Sequence, residues 1–396
     1  MKSKLLFLFV FFIVFQTTTA VQKQKPIKEV INAALEFSTK QSLLMAKSLE
    51  NQKELLPVST DKYGKLKTAK SDWWTSGFFP GVLWYLYENK PSAEIEKWAR
   101  DFTQRVAKEQ FTRSNHDVGF MIFCSFGNGY RLTGDTAYLS VIRNACKSLS
   151  TRYNSKVGLI RSWDFGNWKY PVIIDNMMNL EMMMWGGATF NEQSFVDISN
   201  SHALKTAINH YRPDNSCFHV VSYDTIAGGV EKKTTFQGYS DSSSWARGQG
   251  WGLYGYTMMY RFTKDSTYLN KARHIATYLL QHPRMPKDKI PFWDFDAPNI
   301  PDTYRDASAG AIICSALIEL SGYVTKKESK YYLKIAETQL RTLSTTQYTN
   351  ALGNNGNFIL KHSVGFLSAN SEVDVPLTYA DYYYVEALMR FKELLK

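Results

Sequence analysis

The chain has 396 residues, 44% hydrophobic and 15% aromatic, which excludes a disordered polypeptide and provides for one large or two ordinary domains. With 47 Lys and Arg against 36 Asp and Glu, the formal charge is +11; on an exported protein this favours an acidic polysaccharide over nucleic acid as partner. Cys124, Cys146, Cys217 and Cys314 show no CxxC or zinc-like spacing and sit on apolar segments. They are expected as buried thiols, although export would permit disulfides.

Residues 1–20 read as a processing signal. Lys2 and Lys4 precede the apolar run LLFLFVFFIVF, and TTTA offers small residues for cleavage near Ala20. That run is too short and poorly flanked for a membrane span, no cysteine stands at the cleavage point to carry a lipid, and nothing later reaches the length of a membrane helix. The mature chain, 21–396, is expected in the periplasm of a bacterium, with no membrane anchor and a charge of +9 once Lys2 and Lys4 are removed.

Beyond the leader, helical periodicity dominates. Helices are expected near 26–54, 76–89, 92–109, 117–132, 136–152, 175–188, 193–209, 245–262, 266–281, 307–321, 326–344 and 378–394. The stretches RLTGDTAYL and RFTKDSTYL are loosely alike: an aromatic-rich helix, a TGD or TKD turn, then an amphipathic helix. LIELSGYVTKKESKYYLKIAETQL follows the same rhythm. Near 218–237 the period changes: FHVVSYD alternates, Gly228-Gly229 can turn and KKTTFQ returns, which predicts a short β-hairpin. No Pro/Gly/Ser-rich linker divides the chain. The expectation is one all-α domain of six helical hairpins, an (α/α)6 barrel with a small β-hairpin insert.

Asp175 interrupts the apolar run VIIDNMMNLEMMMW. It is a helix cap or a carboxylate set in a pocket to move protons. A capping box would want Glu or Gln at position 178, where Met178 stands. Apolar surroundings would raise its pKa, as a general acid requires, while a helix N-terminus would pull the other way. Asp117, in SNHDVGFMIFCSFGNGYRL, opens a second apolar helix with Gly119 in its first turn, and the same two readings apply. Two carboxylates flanking a sugar are the usual equipment of glycoside cleavage.

YSDSSSWARGQGWGLYGY, 239–256, contains a G-x-G-x-x-G spacing, but no strand precedes it and no βαβ unit surrounds it, which excludes a dinucleotide site. Its glycines permit close approach, Arg247 offers a planar fork suited to a carboxylate, and Trp251 offers a stacking face. His219 and Gln237 fall on the expected hairpin, where ordinary polar strand positions are the plainer reading. There is no HExxH and no cluster of His with acidic residues, so neither metal nor other cofactor is expected.

Taken in order, WWTSGFFPGVLWYLY, HDVGFM, IIDNMMNLEMMMW, FQGYSDSSSWARGQGWGLYGY and SEVDVPLTYADYYYVEAL resemble glycoside hydrolase family 88, the unsaturated glucuronyl hydrolases, over nearly all of the mature chain. The neighbouring family 105, acting on unsaturated rhamnogalacturonides, shares the fold and an acid pair, but RGQGW and NSEVDVPLTYADYY look more like family 88. The resemblance implies an (α/α)6 barrel acting on lyase-generated glycosaminoglycan oligosaccharides, some of them sulfated, that end in a Δ4,5-unsaturated uronic acid. It implies hydration of the enol ether rather than attack at the anomeric carbon. By motif match, Asp175 would be the general acid and then the water-activating base, assisted by Asp117. His219, Gln237, Arg247 and Trp251 would contact the substrate, with Trp74 (or its neighbour Trp73) as a further stacking face. Asp117 is expected to raise the pKa of Asp175. The rival is a non-catalytic exported carbohydrate-binding protein on the same fold, for which no acidic pair would be needed.

Overall fold

The structure, a computed structural model, describes residues 24–396; the expected leader, residues 1–20, lies outside them. Twelve long helices alternate between two layers. The outer set is α1 (Ile27–Ser48), α3 (Ala93–Arg105), α5 (Ala137–Ser150), α7 (Gln193–Asn209), α9 (Ser266–Gln281) and α11 (Lys326–Leu343). The inner set is α2 (Phe78–Asn89), α4 (118–133), α6 (Asn176–Phe190), α8 (Ala246–Thr263), α10 (Ala307–Ser321) and α12 (Thr378–Glu393). Each inner helix packs on the next, and α12 returns to α2, which closes the ring. This is the (α/α)6 barrel expected from the sequence.

The two layers differ in sequence because they differ in surroundings. Outer helices such as α3 and α11 bury one apolar stripe and leave charged residues in water. Inner helices are covered on every side, so α10 reads ASAGAIICSALIELS with only Glu319 outside the buried set. The methionine run of α6 has the same cause. α4 carries a wide π turn over Phe123–Gly127, a local register change inside an otherwise α-helical rod.

Chain connections are unequal at the two ends of the barrel. From inner to outer helix the turns are short, and Gly134, Asn191 and Lys264 terminate three inner helices in the left-handed conformation. This confirms the kinship of the TGD and TKD turns. From outer to inner helix the connections are long, so all elaborate loops gather at the N-terminal ends of the inner helices. They contain more β-structure than the single hairpin expected. β1 (Leu56–Thr60) pairs with β2 (Leu66–Ala69), and β3 (Tyr153–Asn154) with β4 (Leu159–Ile160). β5 (Pro171–Ile173), β6 (Val220–Tyr223) and β7 (Val230–Thr234) form an antiparallel sheet, and β8 (Ser363–Phe366) pairs with β9 (Ser371–Val375). The 218–237 hairpin is present as β6–β7, but β5 joins it from 50 residues upstream, a pairing that local periodicity does not reveal. The expected helix 26–54 stops at Ser48, and 92–109 stops at Arg105 before a 3-10 turn.

The four cysteines are unpaired, three buried and Cys124 half-buried. Among the described residues no helix is long and apolar enough to cross a membrane.

Close approach between α4 and α6 depends on Gly119. A Cβ there would lie 2.7 Å from Asn179 Oδ1 and 2.8 Å from its Cα, and Asn179 Oδ1 accepts the Phe120 backbone N–H at 2.9 Å. Alanine has the better helix propensity by up to about 1 kcal/mol, yet overpacking costs about 1–3 kcal/mol. Gly119→Ala is therefore expected to lower the unfolding free energy by about 1–2 kcal/mol, measured by denaturant titration. A neutral or stabilised variant would show that the two helices are not held at this contact.

Candidate active site

Three elements of one small sheet converge on the mouth of the barrel. β5 runs through Ile173 and Ile174 directly into Asp175, at the threshold of α6. His219 precedes β6, and Gln237 follows β7. The His219 ring Nδ1 accepts backbone N–H groups from Phe236 at 3.1 Å and Gln237 at 3.0 Å, so the ring proton resides on Nε2. That Nε2 faces Asp175 Oδ2 at 3.7 Å. Burial, reinforced by the Arg247 charge, holds the His219 pKa well below 6.5, and the ring is neutral.

Asp117 stands at the start of α4, next to Asp175 across the Gly119 contact. Neither carboxylate makes a side-chain cap to its own helix, which removes the capping explanation for both. Asp175 is 7% exposed and its Oδ2 has no hydrogen-bond partner. Desolvation raises its pKa to about 7, opposed first by the Arg247 charge. Asp117, whose side chain keeps 17% exposure, is raised as well, first by desolvation and then by the Asp175 charge, with Arg152 opposing. Repulsion between two close carboxylates is mutual, so the pair resists joint ionisation. Arg247 favours charge on Asp175 and Arg152 favours charge on Asp117, but burial outweighs both.

The carboxylates open into a cavity of about 360 Å³, within the range of small-molecule sites. Gln237, Trp73 and Trp74 also line it. Trp74 is half-buried among Phe78, Phe120 and Tyr379, with the Tyr379 ring centroid at 5.0 Å, whereas Trp73 lies at the rim with 45% exposure. Both tryptophans thus reach the cavity, Trp74 from a fixed position.

Arg247 and Trp251 sit deeper than their expected contact roles require. Arg247 is 1% exposed and does not line the cavity. Its Nη1 donates to Asp306 Oδ2 at 3.2 Å and to the Val364 carbonyl, and Nη2 donates to the Gly365 carbonyl at 2.7 Å. The planar fork expected for a substrate carboxylate is turned onto Asp306 and β8, between the Trp245 and Tyr379 rings. Trp251 is fully buried against Phe120 and Tyr383 and offers no open stacking face. Gln237 joins the same scaffold, donating from Nε2 to the Gly365 carbonyl at 3.1 Å.

Several cavity residues went unread in the sequence. Trp163 and Phe165 stack at 4.9 Å with planes 13° apart, and Phe236 packs on both, forming an aromatic wall. The WDFGNW stretch, two tryptophans around a glycine turn, carried a usable signal. Glu372, on β9 with φ +56°, also lines the cavity; burial raises its pKa, with Arg247 opposing. A second cavity, of about 410 Å³, lies at the C-terminal ends of the inner helices. Its charges satisfy one another: Arg390 pairs with Glu319 at 2.9 Å, Arg261 with Glu181 and Glu319, and Glu386 accepts from Tyr85 and Tyr254. No unpaired acid and base face each other there, so the chemistry belongs to the opposite mouth. Among the described residues no group of three or more His, Cys, Asp or Glu could hold a metal ion.

An (α/α)6 barrel with two desolvated carboxylates in an aromatic cavity defines a class of carbohydrate-active enzymes, and comparison with known proteins makes it specific. The model of Glycosyl Hydrolase Family 88 matches residues 45–393, and the chain belongs to that family of glycoside hydrolases. An unsaturated glucuronyl hydrolase of Formosa agariphila is 44% identical over 325 residues, 81% of this chain and 80% of that protein. An unsaturated chondroitin disaccharide hydrolase of Streptococcus agalactiae is 30% identical, covering 94% of this chain and 98% of its own. The crystal structure of an unsaturated glucuronyl hydrolase specific for heparin superposes with a TM-score of 0.88 at 48% identity, over 92% of this chain and 98% of that one.

The raised pKa of Asp175 has a stability consequence. Its folded value of about 7 exceeds the unfolded value of about 3.9, so the folded state holds the extra proton between those limits. The associated stabilisation is complete below about pH 4 and is lost as pH rises through about 7. Asp175→Asn removes this dependence. The melting temperature of the variant relative to wild type is expected to rise from pH 4 to 7 and then level off; a difference independent of pH would contradict a buried, proton-holding Asp175.

Proposed function

We propose that this glycoside hydrolase, which removes the Δ4,5-unsaturated uronic acid from the non-reducing end of glycosaminoglycan oligosaccharides, does so by proton transfer through Asp175 with Asp117 beside it. The observation that carries the assignment is the pair of uncapped, desolvated carboxylates in one aromatic cavity, with the neutral His219 N–H facing Asp175. Protonated Asp175 gives its proton to C4 of the enol ether, and the positive charge that develops at C5 is shared with the ring oxygen. The Asp175 carboxylate then takes a proton from water as the water oxygen bonds to C5. The hemiketal so formed opens, and its rearrangement releases the keto uronate and the shortened sugar. A carboxylic acid with a pKa of about 7 is matched to this double role near neutral pH.

Asp117, whose pKa is raised first by burial, stands beside the reacting uronate as the assisting carboxyl, and a charge left on Asp175 after proton transfer favours its protonated form. Neutral His219 places an N–H 3.7 Å from Asp175 Oδ2 without adding charge. Trp74 and the Trp163–Phe165 wall provide apolar faces for sugar C–H surfaces. A solved structure 28% identical to this chain extends the support to substrate: a variant of the Streptococcus agalactiae unsaturated glucuronyl hydrolase in complex with dGlcA-GalNAc6S, which supports a sulfated glycosaminoglycan disaccharide here as well. A panel of unsaturated heparin, chondroitin and hyaluronan disaccharides, followed by loss of the ultraviolet absorbance of the double bond, tests both points. Wild type is expected to consume the chromophore of at least one. Asp175→Asn is expected to lose about 10²–10⁴-fold in rate, the usual contribution of a general acid–base group, and Asp117→Asn to be severely impaired. An Asp175→Asn variant retaining more than about a tenth of the rate would sink the assignment.

Export to a bacterial periplasm is part of the same proposal, supported by the Lys2/Lys4 segment, the apolar run after it and the small residues before Ala20. Protein recovered from a periplasmic extract is expected to start just after Ala20. A mature chain beginning at Met1 would count against export.

A further inference from the structure

Arg152 is a buried charge beside the cavity that has no part in the proton transfer proposed above. It follows α5, is 8% exposed and reaches two other segments, 161–164 and the stretch at Arg113. Nη1 and Nη2 grip the Asp164 carboxylate at 3.0 and 2.9 Å, a bidentate pair. Nε donates to the Arg161 carbonyl at 2.9 Å, and Nη1 also donates to the carbonyl of Arg113. Asp164 lies between Trp163 and Phe165, the stacked pair of the aromatic wall. Arg113 begins the short stretch that ends at Asp117. Ser162 adds two further stitches: its carbonyl accepts from His116 N–H at 2.9 Å, and its Oγ accepts from Ile173 N–H at 2.9 Å, two residues before Asp175.

We propose that Arg152 is a positioning residue that latches the aromatic wall to the Asp117 loop and presents a fixed positive charge behind the acid pair. The proposal rests on Asp117 and Asp175 being the reacting groups. Geometry makes the fork specific: lysine could reach one acceptor but not hold Asp164 and two carbonyls together. The groups that face Asp117 are His116 on its own loop at 3.4 Å, Asp175 from the start of α6 and Arg152 from the turn after α5; Asp72 and Glu372 lie across the cavity. His116 is neutral, its pKa lowered to about 3 by burial and then by Arg152, so Arg152 is the cation that opposes proton retention on Asp117.

The test uses the full mature protein with Arg152→Lys, Arg152→Gln and Asp164→Asn, following kcat and KM on an unsaturated glycosaminoglycan disaccharide across pH. Asp164→Asn keeps the cation and loosens the wall, so KM is expected to rise several-fold while the alkaline limb of the kcat/KM profile stays in place. Arg152→Lys should behave the same way. Arg152→Gln should raise KM and also move that limb to higher pH by roughly half a unit or more, since an opposing charge is lost. A merely structural residue would lower the melting temperature without moving the limb. Wild-type KM in Asp164→Asn, or an unmoved limb in folded Arg152→Gln, would overturn the proposal. If Arg152→Gln does not fold, wild-type KM in both other variants overturns it. Failure of the underlying reading shows separately, as an Asp175→Asn variant that keeps its rate, and would remove this proposal with it.

Discussion

Two carboxylates at neighbouring helix N-termini, Asp175 buried and Asp117 largely so, are the constraint around which the barrel is arranged. Helix ends of this polarity, and the buried cations Arg247 and Arg152, all favour ionised acids. Burial outweighs them at both positions and raises both pKa values. Once one acid of such a pair is charged, the other resists ionisation, so the pair retains a proton near neutrality as a unit rather than as two independent groups. The scaffold gives each acid its own cation, Arg247 on the Asp175 side and Arg152 on the Asp117 side.

Holding such a pair requires rigid support, and the support comes from distant parts of the chain. Gly119 lets α4 close on α6, so the two acid-bearing helix ends meet. The β5–β6–β7 sheet brings Asp175, His219 and Gln237 to one edge. The Arg247–Asp306 pair, both members buried, ties α8 to the start of α10 and to β8. Breaking such a buried pair by removing one partner typically costs about 3–5 kcal/mol, which makes Arg247 a structural keystone as much as an electrostatic one. The β8–β9 hairpin bears strain at its edge, with His362, Asn370, Glu372 and Asp374 all in the left-handed region. That strain sits where Phe366, Ser371 and Glu372 border the cavity.

The neutral state of His219 follows from the same environment. Two backbone N–H groups occupy Nδ1, burial and the Arg247 charge disfavour protonation, and the remaining N–H is left to face Asp175. A charged imidazolium there would draw the acid toward ionisation and cost the site its proton donor. The polar network at the opposite end of the barrel provides the contrast: its glutamates are matched by arginines and tyrosine hydroxyls. Charge neutralised in that way stabilises the barrel without chemistry.

Much of this was legible along the chain because helix packing is periodic. The alternation of amphipathic and all-round apolar helices follows directly from one-sided and full burial, which is why twelve segments could be placed and paired. Asp175 and Asp117 stood out for a related reason: an acid at the edge of an apolar run has no solvent to face. Tertiary structure alone decided how those residues are used. The direction of the Arg247 fork depends on β8, more than a hundred residues away, and Asp306. Trp251 is sealed by Phe120 and Tyr383, from two other helices. Which cation opposes proton retention at each acid, Arg247 at Asp175 and Arg152 at Asp117, also follows from the fold. Periodicity reports how a segment meets its surroundings; partners drawn from distant loops, and the electrostatics they impose, exist only once the ring has closed.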